Sequence, residues 1–168
     1  MKLGELLKEL KKVLREWGIF FAAAVLLTNL VFTGVVYQPA TIDPELVPYV
    51  NYFKDVAAQY GASPDFKNLS IQFADSYPVK NWIGLCQSSR TSPARFLTVH
   101  RGYFKKTSIE QKYALLIHEL GHCTLNLDHK EGYRADGCPL SIMHPSDGMF
   151  GCLFINQEYY YKELFGTL

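Results

Sequence analysis

The chain lacks an excess of either charge. Its 17 Lys and Arg against 16 Asp and Glu leave a formal net charge of +1. No basic face therefore argues for a nucleic-acid partner. Internal repeats and low-complexity tracts are absent as well, which excludes repeat arrays and disordered spacers. Four cysteines occur but no C-x-x-C pair, so a separate four-cysteine zinc site is not expected. Cys86, Cys123, Cys138 and Cys152 allow three disulfide pairings, and sequence does not choose among them. Histidine is scarce, with five residues, all between His100 and His144.

Charge is missing locally too. From Trp17 to Ile42 there is no charged side chain. The apolar part, Trp17 to Tyr37, is long enough as a helix to span about 31 Å, a bilayer's hydrocarbon thickness. Trp17 and Tyr37 stand at its ends, where interfacial anchors sit. Before it, Lys2, Lys8, Lys11, Lys12 and Arg15 against Glu5, Glu9 and Glu16 give five minus three, or +2. The positive-inside rule then predicts a single-pass membrane protein, with a cytoplasmic N-terminus and the domain after the span extracytoplasmic. Two alternatives stand beside it. A cleaved signal peptide lacks a convincing small-residue exit site at Val35 to Ala40. An amphipathic helix, with Lys8, Lys11, Lys12 and Arg15 on one face and Leu3, Leu6, Leu7, Leu10 and Leu14 on another, suits a membrane surface or a partner helix in an assembly equally well. The expected organisation is an N-terminal helix over 1–37, a linker over 38–42 and one domain over 43–168. With 14% aromatic residues, that domain can bury a real core.

What is present is concentrated in His118-Glu119-Leu120-Gly121-His122, followed by Asp128-His129. Positions i and i+4 share a helix face, so His118 and His122 converge as zinc ligands must. Glu119 directly follows the first of them and is placed to act as a general base. Thr107-Ser108-Ile109-Glu110 predicts a capping box with Thr107 as N-cap. The run from Gln111 to Leu125 has no Pro and only Gly121, with an apolar body from Ala114 to Ile117. The plain alternative is a core helix with two satisfied histidines, but it gives Glu119 no role, and an unpaired buried acid is costly.

The segment resembles the metzincin metallopeptidases, with their H-E-x-x-H-x-x-G-x-x-H motif and a following Met-turn. Counting from His118 puts Leu125 at the family's Gly and Asp128 at its third ligand. Leu suits a left-handed turn poorly, whereas Asn tolerates it. Taking Asn126 as the turn restores the family's offset at His129. The resemblance thus implies His118, His122 and His129 as zinc ligands, with Asp128 as the alternative third ligand. Ser141-Ile142-Met143-His144-Pro145 resembles the Met-turn, which implies Met143 beneath the metal without a bond to it. His144 reads as a polar loop residue, since a fourth protein ligand would fill the open catalytic position. Tyr133 is a candidate oxyanion donor that sequence cannot place. Asp43 to Tyr49, Gly84-Leu85-Cys86, His118 to Cys123 and Ser141 to Met143 together resemble small bacterial and phage-associated metallopeptidases.

The rest of the chain predicts a helix from Asp43 (N-cap) and Pro44 (N1) to Gly61, with Leu46, Tyr49, Val50, Phe53, Val56, Ala57 and Tyr60 at helical spacing. Strands follow at Leu69 to Phe73, Trp82 to Cys86 and Phe96 to His100, and a C-terminal helix near Gln157 to Phe165. His100 reads as a strand or loop residue, not a ligand. The expected fold is α+β: a small metzincin-like zinc peptidase domain with a mixed sheet, a zinc helix, a C-terminal helix and an N-terminal hydrophobic helix. The expected function is that of a zinc-dependent endopeptidase, anchored in a membrane through residues 17–37 or held by a partner assembly. Its partner is a protein or peptide substrate, and Glu119 is its catalytic residue. The alternative is a structural or assembly protein of an envelope, virion or larger machine that keeps the zinc fold.

Overall fold

Alternating burial sets the centre of the molecule. In the computed structural model, which describes residues 40–76, 82–88, 92–146 and 149–166, three strands form one mixed sheet. They are β1 (Leu69–Ala74), β2 (Gly84–Ser88) and β3 (Arg95–His100). Their order is β1-β3-β2, with β3 parallel to β1 and antiparallel to β2. Leu69 and Ile71 of β1 point into the core, as do Leu97 and Val99 of β3. Ile71 pairs with Leu97, and Cys86 of β2 faces Leu97 from the other side. β2 is left as an edge strand among the described residues.

Helices cover the sheet. They are α1 (Val47–Gln59), α2 (Arg101–Lys106), α3 (Ile109–Leu125), α4 (Met149–Ile155) and α5 (Gln157–Leu164). Leu46, Val50 and Phe53 meet Leu115, Leu116, Ile117 and Leu120 in one cluster with the strands, and all seven are at most 1% exposed. Truncating one such leucine to alanine removes about 2–5 kcal/mol.

Several boundaries differ from the periodic expectation. Asp43 does not cap α1. Its backbone N–H donates to Ile71 O and its side chain accepts from Glu45 N–H, so it opens a turn beside β1. The helix starts at Val47, with a proline in its first turn. α3 is capped by Ser108 rather than Thr107, and Gln111 completes the capping box. Two overlapping boxes exist in Thr107-Ser108-Ile109-Glu110-Gln111. Thr107 is committed to ending α2, its N–H bonded to Tyr103 O, which leaves Ser108 to begin the next helix.

The N-terminal helix expected over 1–37, including the 17–37 span, lies outside the described residues. Among the described residues no helix is long and apolar enough to cross a membrane. The longest, α3, has 17 residues and reaches about 26 Å, short of a bilayer's hydrocarbon core. It also carries Glu110, Lys112 and Glu119. The expected single-pass placement, cytoplasmic N-terminus and extracytoplasmic catalytic part, is corrected on this finding.

Candidate active site

The second half of α3 brings the chemistry together. His118 and Glu119 are buried, at 9% and 6% exposure, and His122 is half-buried. α3 ends at Leu125, and Asn126 takes a left-handed conformation, φ 55° and ψ 40°. Asparagine adopts that region more readily than leucine. The reversal brings His129 back over the helix end, and Lys130 N–H then donates to Met143 O at 3.0 Å. The donor atoms of His118, His122 and His129 lie within 4.8 Å of one another, a group compatible with a metal site. Asp128 lines the same cleft but is not in that group.

The tautomers follow from the partners. His118 Nδ1 donates to Ile142 O at 2.8 Å, and His122 Nδ1 donates to Leu127 O at 2.6 Å. A carbonyl only accepts, so each neutral ring carries its hydrogen on Nδ1 and a lone pair on Nε2. Those two Nε2 atoms face each other at 3.1 Å. Burial pushes His118 down to about 4 and lowers His122 as well, so a bridging proton is disfavoured at neutral pH. A cation resolves the opposed lone pairs. Tetrahedral bonds of 2.0–2.1 Å place neighbouring nitrogens about 3.3 Å apart, close to the separation found. The three imidazoles are therefore compatible with a divalent transition metal.

The surroundings hold this group. Met143 is 2% exposed beneath the helix. Gly121 makes room for it: a Cβ there would lie 2.5 Å from Met143 Sδ. Ser141 Oγ accepts from Met143 N–H and donates to Glu163 Oε2 at 2.8 Å. Glu163 of α5 also bonds Lys130 Nζ at 2.9 Å, so one carboxylate ties the Met143 loop to the segment carrying His129. On the opposite side β2 passes over Glu119. A Cβ on Gly84 would lie 2.6 Å from Glu119 Cγ and Cδ, so only glycine leaves that carboxyl its place. Burial raises Glu119 to about 8. A nearby cation opposes that shift by favouring the carboxylate.

Two disulfides frame the site. Cys86–Cys123 joins β2 to α3, and Cys138–Cys152 joins the chain before the Met143 loop to α4. Between β2 and the Met143 loop opens a cleft of about 440 Å³, lined by Trp82, Leu115, Pro145 and the metal group among others. His144 also lines it, buried at 6%, a more central place than a loop histidine suggests. His100 lies outside that group: it ends β3, and its Nδ1 accepts from Tyr103 N–H to cap α2. Tyr133 is 60% exposed and packs on the His144 ring, centroids 4.8 Å apart. Sequence reading missed Glu163, and it singled out Gly84 only within the Gly84-Leu85-Cys86 match, without its approach to Glu119. Only Gly121, a lone glycine inside a helical pattern, carried a local signal of close packing.

No curated protein and no solved structure matches the chain. The family model described as "Putative phage metallopeptidase" matches residues 50–150. That span exceeds half of the chain and takes in all three strands, α3 and the Met143 loop, and by this match the chain belongs to the phage metallopeptidase family.

Proposed function

We propose that the protein is a zinc-dependent endopeptidase of metzincin type. The observation that carries this reading is the pair of opposed Nε2 lone pairs at 3.1 Å, with His129 completing the group and Glu119 beside it in an open cleft. His118, His122 and His129 hold the zinc, and three protein ligands leave the fourth position free, as catalytic rather than structural sites do. Bound zinc supplies Lewis-acid chemistry toward water and the scissile carbonyl. Glu119 takes a proton from the attacking water as its oxygen joins the carbonyl carbon. Glu119 then returns that proton to the leaving amine as the C–N bond breaks. The edge of β2, unpaired among the described residues, offers backbone groups to an extended peptide, which would add as a further strand beside the cleft. Met143 serves as an apolar floor that fixes the height of the histidines.

Glu119→Gln tests the mechanism. Peptide cleavage should fall by roughly 10²–10⁴-fold while metal content by elemental analysis stays at the wild-type ratio. Undiminished cleavage would sink the reading. The second reading, a component of a virion or larger machine that keeps the fold, is favoured by the phage family match. A protein that binds metal stoichiometrically and cleaves no member of a peptide library would support it.

A further inference from the structure

His144 takes no part in the metal group and is nonetheless built into the cleft. The backbone N–H of Ser146 donates to its Nδ1 at 3.1 Å, and the Ser146 hydroxyl lies 2.9 Å from the same nitrogen. A nitrogen that accepts from a backbone N–H carries the lone pair, so the ring hydrogen sits on Nε2. Among the described residues that Nε2–H has no acceptor. The ring is steadied by Tyr133, 4.8 Å away between centroids. The loop that carries it also meets the metal group, because Ile142, two residues earlier, accepts from His118 Nδ1, and His144 lines the same cleft as the three histidines. With its hydrogen on Nε2 and its Nδ1 taken, His144 has no free lone pair for a metal. It is therefore a donor, not a fourth ligand.

We propose that His144 donates its Nε2–H to the scissile carbonyl oxygen of the substrate and stabilises the negative charge that develops there during hydrolysis. This rests on the peptidase reading above. A neutral donor held before the substrate arrives needs no reorganisation as charge appears, and loss of one such donor commonly costs 10²–10³-fold in kcat.

The test uses the zinc-loaded full chain, a cleavable peptide and a phosphinic pseudopeptide whose tetrahedral anionic oxygens imitate the charged state. His144→Asn keeps an acceptor toward Ser146 but places nothing at the Nε2 position. His144→Gln restores an N–H near that position. His144→Asn should lower kcat by about 100-fold with KM within about twofold, and weaken pseudopeptide binding by a comparable factor. Zinc content should stay unchanged, and His144→Gln should recover at least about tenfold of both losses. Unchanged kcat and pseudopeptide affinity in His144→Asn, a loss confined to KM, or loss of zinc each overturns the assignment while leaving the peptidase reading intact. A wild-type protein that neither cleaves the peptide nor binds the pseudopeptide overturns both.

Discussion

The two walls of the cleft are held to α3 by different means. β2 is bonded covalently to the helix through Cys86–Cys123 and crosses it at Gly84, where there is no side chain at all. The Met143 loop has no covalent link to α3. It meets that helix through the Ile142 carbonyl on His118 and through Met143 under Gly121, and it is anchored from behind by Glu163. One wall is backbone fixed by a covalent link. The other presents side chains positioned by a relay of hydrogen bonds. A disulfide constrains the unfolded chain, whereas a hydrogen bond only orients what is already folded, so the two walls should fail in different ways.

Breaking the covalent wall should have the largest effect. Replacing Cys86 and Cys123 together by Ala removes a link across 37 residues and should cost about 4 kcal/mol of stability by chain entropy, read by denaturant unfolding. A loss below about 1 kcal/mol would mean that hydrogen bonding to β3 alone fixes this wall. Next comes Gly84→Ala, which drives a methyl group into Glu119. Cleavage should fall by about 10²-fold through displacement of the base, with zinc content unchanged. Retained activity would show that β2 yields where a covalently fixed wall should not. The smallest effect is expected on the other wall. Ser141→Ala removes the bonds to Glu163 and Met143 N–H and should cost about 1 kcal/mol of stability. Its sharper readout is zinc affinity, which should weaken as His118 loses its oriented partner. An effect on stability with none on affinity would detach Glu163 from the metal group.

The sequence made the helices and strands legible where a period runs long enough. α1, β1, β3 and α3 stand within a few residues of their expected positions, since each repeats its apolar spacing over one face. α2 and α4, with six and seven residues, are too short for such a signal. Neighbouring letters can compete: Thr107 and Ser108 each begin a plausible capping box, and only the end of α2 decides between them. The candidate site was legible where its residues are near in sequence, from His118 to His129, because helix geometry and one left-handed Asn fix their relation. Its supports were not. Gly84 on Glu119 and Glu163 on Ser141 are meetings between distant segments, and four cysteines admit three pairings that only folding resolves.

The abrupt ending of α3 at Asn126 has an electrostatic consequence. A helix carries about half a negative charge at its C-terminus, spread over the last unpaired carbonyls. Arg95 already answers one of them by bonding Cys123 O. His122 stands in the same final turn, so a dication held there sits at the negative pole of a 17-residue dipole. That field would add about 1 kcal/mol to the binding of such a cation. By stopping the helix there, Asn126 does more than turn the chain: it sets the three imidazoles at the one end of α3 that attracts positive charge.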